Sequence, residues 1–102
     1  MTKHTFHVVS LPHTQTTKEY LSCAYTEKVR KFCNMMSSLG NRVYLYASEE
    51  NEAICDEFIT VITKKEQYNL LGMKGPETLD CIRESWLNLD HPVWKLVNFR
   101  LV

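Results

Sequence analysis

The chain has no Gly-x-Gly-x-x-Gly after its first strand, no phosphate-binding P-loop, no Gly-x-Ser-x-Gly elbow and no Cys-x-x-Cys pair. Dinucleotide oxidoreductases, P-loop enzymes, α/β-hydrolases and dithiol redox proteins are thereby disfavoured. Charge of one sign is also missing. Twelve basic and twelve acidic side chains cancel, so no long-range field draws the chain to phosphate backbones or anionic lipid, and neither nucleic acid nor a membrane surface is an expected partner. No apolar run approaches the roughly 20 residues of a membrane span, and the amino terminus leads into a strand instead of a signal-peptide core. A cytoplasmic location is expected. Cys23, Cys33, Cys55 and Cys81 lack the spacing and close histidines of a zinc site, so they read as buried thiols with no metal. Repeats and low-complexity segments are absent.

What is present is one domain's worth of alternating strands and helices. At 102 residues and 44% apolar composition, the chain can bury a core but not build a second full domain. Phe6 to Leu11 is a β-rich run stopped by Pro12, which has no N–H for a central ladder. From Leu21 the apolar positions Tyr25, Val29, Phe32, Met36 and Leu39 keep helical spacing, and Gly40 supplies the stop. Cys33, beside Phe32, belongs to the same apolar face. Val43 to Ala47 is almost continuously apolar, as a strand covered on both faces must be, and the helical crossover makes it parallel to the first.

Phe58 to Ile62 is a third strand, with residues 50–56 a helical turn or a loop before it. Thr63 to Glu66 has capping-box spacing and predicts a short helix over 64–71 ended by Gly72. Pro76, with Leu79, Ile82 and Trp86, predicts another helix. Asp90-His91-Pro92 starts a last one carrying Val93, Leu96, Val97 and Leu101. The sequence then ends inside an apolar helical pattern, as the front part of something longer would. A docked terminal helix of a small protein is the alternative. The fold class is α/β: a single three-layer Rossmann-like domain over 1–102, with a small parallel sheet of about three strands flanked by helices.

In such folds ligands sit at the carboxyl ends of the strands, which makes the polar loop from Pro12 to Glu19 the expected functional surface. His13 has the chemistry of a general base near neutral pH. Thr14, Gln15, Thr16 and Thr17 offer hydroxyl and amide groups suited to sugar recognition, against the plainer alternative of a solvated loop. Glu49 and Glu50 follow the second strand, where an acid can hold a ribose, or where it can simply serve a helix start. Asn51 joins them as a binding candidate. His4, His7 and His13 do not reach tetrahedral spacing. His7 reads as a strand-face residue, and Trp86 and Trp94 read as core or interface packing.

Two polar segments, His13-Thr14-Gln15-Thr16-Thr17 and Ser48-Glu49-Glu50-Asn51-Glu52-Ala53, resemble segments of GT-B-type glycosyltransferases and glycosyltransferase-like proteins. Met35 to Tyr46, and His91-Pro92-Val93-Trp94-Lys95 with Asn98, are similar to the same group. The resemblance departs at Asn41, where many relatives have histidine, and at Cys23-Ala24-Tyr25, where many have paired glycines near a phosphate. It implies the acceptor-side, N-terminal portion of an enzyme that moves a sugar from a nucleotide-sugar donor to an acceptor, with no cofactor. It further implies a missing C-terminal domain that holds most of the donor, so the chain alone is expected to be inactive. The competing expectation is a stand-alone α/β binding or interaction module, with Trp94, Leu96, Val97 and Leu101 exposed as a partner surface.

Overall fold

In the computed structural model, residues 3–20, 23–76 and 89–101 are described. Three strands, β1 (Thr5–Val9), β2 (Arg42–Ala47) and β3 (Glu57–Thr60), form a parallel sheet in the order β1-β2-β3. Helix α1 (Ala24–Ser38) makes the crossover between β1 and β2, while α2 (Lys64–Leu71) and α3 (Pro92–Leu101) follow β3. The expected small parallel Rossmann-like arrangement is what the chain adopts.

Side chains of β2 alternate between two cores, as the strand period of two requires. Val43, Leu45 and Ala47 are buried with Cys33 and Ala53, against Val8, Val29 and Met36. Tyr46, on the other face, packs toward Val61, Ile62, Leu71, Val93 and Val97. The sheet is therefore sandwiched, with α1 on one side and α2 and α3 on the other. Burying Val43, Leu45 and Ile62 almost completely contributes about 1.5–3 kcal/mol for each side chain.

The helix signals act as expected, with one rotation of face. In α1 the inward positions are Thr26, Val29, Cys33 and Met36, whereas Tyr25 and Leu39 point to solvent at 59% and 63% exposure. The helix turns this way because Thr26 has a buried hydroxyl partner in Thr14 at 2.6 Å, a demand that apolar spacing cannot register. Leu21 and the predicted helix carrying Leu79, Ile82 and Trp86 lie outside the described residues. Gly40 and Gly72 take positive φ, 84° and 72°, and end α1 and α2. The capping box of α2 closes in both directions: the Glu66 N–H donates to Thr63 Oγ1 at 3.2 Å, and the Thr63 N–H donates to Glu66 Oε1 at 2.9 Å.

Residues 50–56 are a loop, not a helical turn, and they run along α1. The Ile54 N–H donates to Asn34 Oδ1 at 2.8 Å, and Ser37 Oγ donates to the Ile54 carbonyl at 3.0 Å. This loop takes the covering role that a second crossover helix would have.

The last helix corrects an expectation. Val97 is 1% exposed and Trp94 and Leu101 pack partly buried against the core, so these residues do not form an exposed partner surface. The helical period turns Phe99 outward instead, at 82% exposure. His91 Nδ1 accepts the Val93 N–H at 3.1 Å and starts the helix.

Candidate functional site

The carboxyl ends of β1, β2 and β3 deliver three segments to one place: residues 10–17, residues 48–53, and the turn into α2. The first of these is not the open surface that its polarity predicts. His13, Thr14, Gln15 and Thr16 are each at most 2% exposed, and Thr17 is also buried. A buried polar loop must satisfy its donors and acceptors internally, and the hydrogen bonds show how this one does.

Gln15 is the centre of that arrangement. Its Nε2 donates to Ser48 Oγ at 2.9 Å and to Gln67 Oε1 at 2.8 Å, while its Oε1 accepts the N–H groups of Glu49 at 3.0 Å and Glu50 at 2.8 Å. An amide side chain has two donors and two acceptor lone pairs, so this one is fully used. The two backbone donors also fix which end is oxygen. Gln67 in turn donates from Nε2 to the carbonyls of Pro12 at 3.0 Å and Thr14 at 3.2 Å. Thr16 pairs as an isolated parallel bridge with Asn51 and donates from Oγ1 to Asn51 Oδ1 at 2.6 Å. The loop after β1 is thus zipped to the loop after β2 and pinned beneath α2.

His13 lies behind this frame, toward α1. Its Nε2 is 3.7 Å from Cys23 Sγ, which also accepts a hydrogen bond from Thr26 Oγ1 at 3.2 Å. Burial pulls the imidazole down to a pKa of about 4, because a charged ring would lose its hydration. At neutral pH His13 is therefore uncharged and enclosed, in contrast to the solvated base expected of a loop histidine. Cys33, buried against the sheet, and the half-buried Cys55 have their thiols raised by burial, Cys33 to about 11. Both are inert thiols at neutral pH.

The acids after β2 serve structure first. Glu49 Oε1 accepts the Lys64 N–H at 2.6 Å at the start of α2, and Glu52 Oε1 accepts the Lys18 N–H at 2.5 Å. The Glu50 carboxylate pairs with the Lys64 ammonium. No group of three or more metal-ligating side chains is found among the described residues, and His7 is a strand-face residue stacked on Tyr44.

Beside Gln15 the three segments leave a cleft. A cavity of about 220 Å³ opens there, lined by the polar Gln15 and Gln67, by Tyr20 and Met73, and by the exposed Glu50 and Lys64 at its mouth. Of the candidates read from sequence, Gln15 and Glu50 reach this cavity. Thr14, Thr16, Thr17, Glu49, Asn51 and His13 do not line it.

Compared with family models, with curated proteins and with solved structures, the chain shows no match.

Tyr20, Lys64, Gln67, Met73 and Lys74 line the cavity but were not among the candidates read from sequence. Gln67 had a usable signal. A loop of Pro, His, Thr and Gln stopped between an apolar strand and an apolar helix needs buried partners for its carbonyls, and Gln67 is, with Asn69, one of two amide side chains inside the predicted helix over 64–71. Tyr20 and Met73 carried none, since both flank elements whose packing depends on the tertiary arrangement. Among the described residues no helix is long and apolar enough to cross a membrane.

Proposed function

We propose that the chain is the acceptor-side portion of a glycosyltransferase that moves a sugar from a nucleotide-sugar donor, and that it is inactive by itself. The observation that supports this reading is the convergence of residues 10–17, residues 48–53 and α2 on one cleft at the carboxyl ends of a parallel sheet, the position where open α/β sheets take ligands. The two segments that carry the resemblance to GT-B enzymes are the ones held together there by Gln15 and Thr16.

In this reading the polar frame is a rigid floor, and the acceptor lies on its exposed side near Glu50. His13, buried beside Cys23, acts as base for the acceptor hydroxyl only if the loop after β1 parts from α1. The donor nucleotide is held chiefly by a second domain, and the protein works in the cytoplasm. The cleft is small for a nucleotide sugar: ligand pockets for drug-sized molecules begin at about 300 Å³.

The test is a nucleoside-diphosphate release assay with UDP- and GDP-sugars. It is run on the 102-residue chain and on the product of any in-frame continuation past Val102. Release by the continued product and none by the chain is expected. Turnover by the chain alone overturns the division of labour, and a continuation without transferase activity overturns the function.

A further inference from the structure

The cavity beside Gln15 has a definite chemical character. Its mouth carries Glu19 and Glu50 against Lys64 and Lys74, so its formal charge is zero, and the Lys64 ammonium is already matched by the Glu50 carboxylate. One wall is the amide of Gln67, held in place by its bonds to the carbonyls of Pro12 and Thr14. Tyr20 and Met73, nearly buried at 6% and 5% exposure, supply the apolar lining.

Each plain class of ligand can be weighed against that character. A free phosphate or other anion meets no net positive charge, because the two lysines at the mouth are balanced by two glutamates. A nucleotide exceeds the space of about 220 Å³. A purely apolar ligand would leave the charges at the mouth to be desolvated without compensating hydrogen bonds. What remains is a compact ring with one apolar face and hydroxyls round its edge. The exposed carboxylates and ammonium groups provide acceptors and donors for hydroxyls, and the Tyr20 and Met73 lining suits the C–H face.

We infer that the cavity formed by Tyr20, Met73, Gln67, Glu50 and Lys64 is a binding site for one uncharged, monosaccharide-sized polyol ring. This deepens the acceptor-side reading and rests on it for its biological sense, but the binding itself is a property of the 102-residue chain. It also relocates recognition: the hydroxyls are read by Glu50 and Lys64, while Gln15, Gln67, Thr14 and Thr16 hold the floor in place.

The experiment is an amide-resolved NMR titration of the isotope-labelled chain with glucose, galactose, mannose and N-acetylglucosamine, and in parallel with inorganic phosphate and UDP. Sugar is taken to about 100 mM, far above a Kd of ~1 mM. Saturable shifts of the Lys64, Gln67 and Met73 amides with at least one neutral sugar are expected. The Glu50→Ala variant should bind that sugar about tenfold more weakly, the loss that a charge-assisted hydrogen bond of ~1.4 kcal/mol carries. Its fold is preserved because Gln15 holds the backbone N–H of residue 50, not its carboxylate. Saturation only by phosphate or UDP, shifts confined to other parts of the chain, no saturable shift with any sugar, or unchanged affinity in Glu50→Ala each overturns the inference. Sugar binding without transferase activity in the continued product leaves this site standing and removes the enzymatic reading. Transferase activity without sugar binding here does the reverse.

Discussion

Replacing Gln15 by alanine removes four hydrogen bonds at one stroke, and the structure allows the cost to be worked out bond by bond. Gln67 Oε1 and Ser48 Oγ are buried at 3% and 0% exposure. The Ser48 hydroxyl can turn to another partner, but the Gln67 amide cannot flip, because its Nε2 is committed to the carbonyls of Pro12 and Thr14. Its oxygen is left buried without a donor, which costs about 1–3 kcal/mol. The Glu49 and Glu50 N–H groups belong to exposed residues and can recover water, so they forfeit only the net value of a hydrogen bond, ~1 kcal/mol each at most. The sum is about 2–5 kcal/mol out of the roughly 5–15 kcal/mol that holds a domain of this size. At a urea dependence near 2 kcal/mol per molar, the unfolding midpoint should fall by about 1–2.5 M. A double-mutant cycle with Gln67→Ala should show a coupling of at least ~1 kcal/mol, since the two substitutions remove a shared bond. A midpoint shift below about 0.5 M at unchanged slope would refute the idea that Gln15 is the keystone of the strand-end loops.

Acid should destabilise the fold in two stages. The folded-state pKa of His13 is depressed from 6.5 to about 4, so the stability from its neutral burial is complete above 6.5 and is lost as pH falls toward 4. Chemical denaturation should report a loss of about 2 kcal/mol between pH 7.5 and 5 that His13→Gln does not show. Glu66, held at a pKa of about 2 mainly by the Arg100 guanidinium and also by hydrogen bonds from Thr63, contributes stability present above 4.5 and lost as pH drops toward 2. Glu66→Gln should flatten that lower stage, by only about 1 kcal/mol because Arg100 is more than one-third exposed and solvent screens the pair. On α3, Val97→Ala should cost about 2 kcal/mol in a urea titration, from two buried methyl groups and the space they leave, whereas Phe99→Ala should stay within about 0.5 kcal/mol. Equal costs at the two positions would mean that α3 docks through a different face.

The elements whose formation is local were legible in the sequence. The strand at 43–47, the helix over 64–71 with its Thr63 and Glu66 capping box, and the stops at Gly40 and Gly72 each follow from a few neighbouring residues, and each is in place. The inward face of α1 was less legible. Apolar spacing pointed to Tyr25 and Leu39, but the helix presents Thr26 instead, because the Thr14 hydroxyl it bonds to lies in a distant loop. The same cause hid the burial of residues 13–17. Polarity alone reads as exposure, and only the pairing with Ser48, Asn51 and Gln67 shows that those groups are satisfied inside. A candidate site assembled from separate loops is therefore where a single sequence says least.

That distinction bears on which residue could perform chemistry here. A base must both reach a bound hydroxyl and hold a pKa near the working pH. His13 fails the second condition as folded, since desolvation keeps its ring neutral down to about pH 4, and it meets the first only if the loop opens. Opening would also change the second condition, because the water that admits a ligand removes the desolvation that lowers the pKa. Access and basicity of His13 are thus coupled through one movement away from α1, which must break the contacts of His13 with Cys23 and of Thr14 with Thr26 but involves none of the bonds of Gln15 to residues 48–50. A movement that left Gln15 in place would expose a base while keeping Glu50 at the mouth of the cavity.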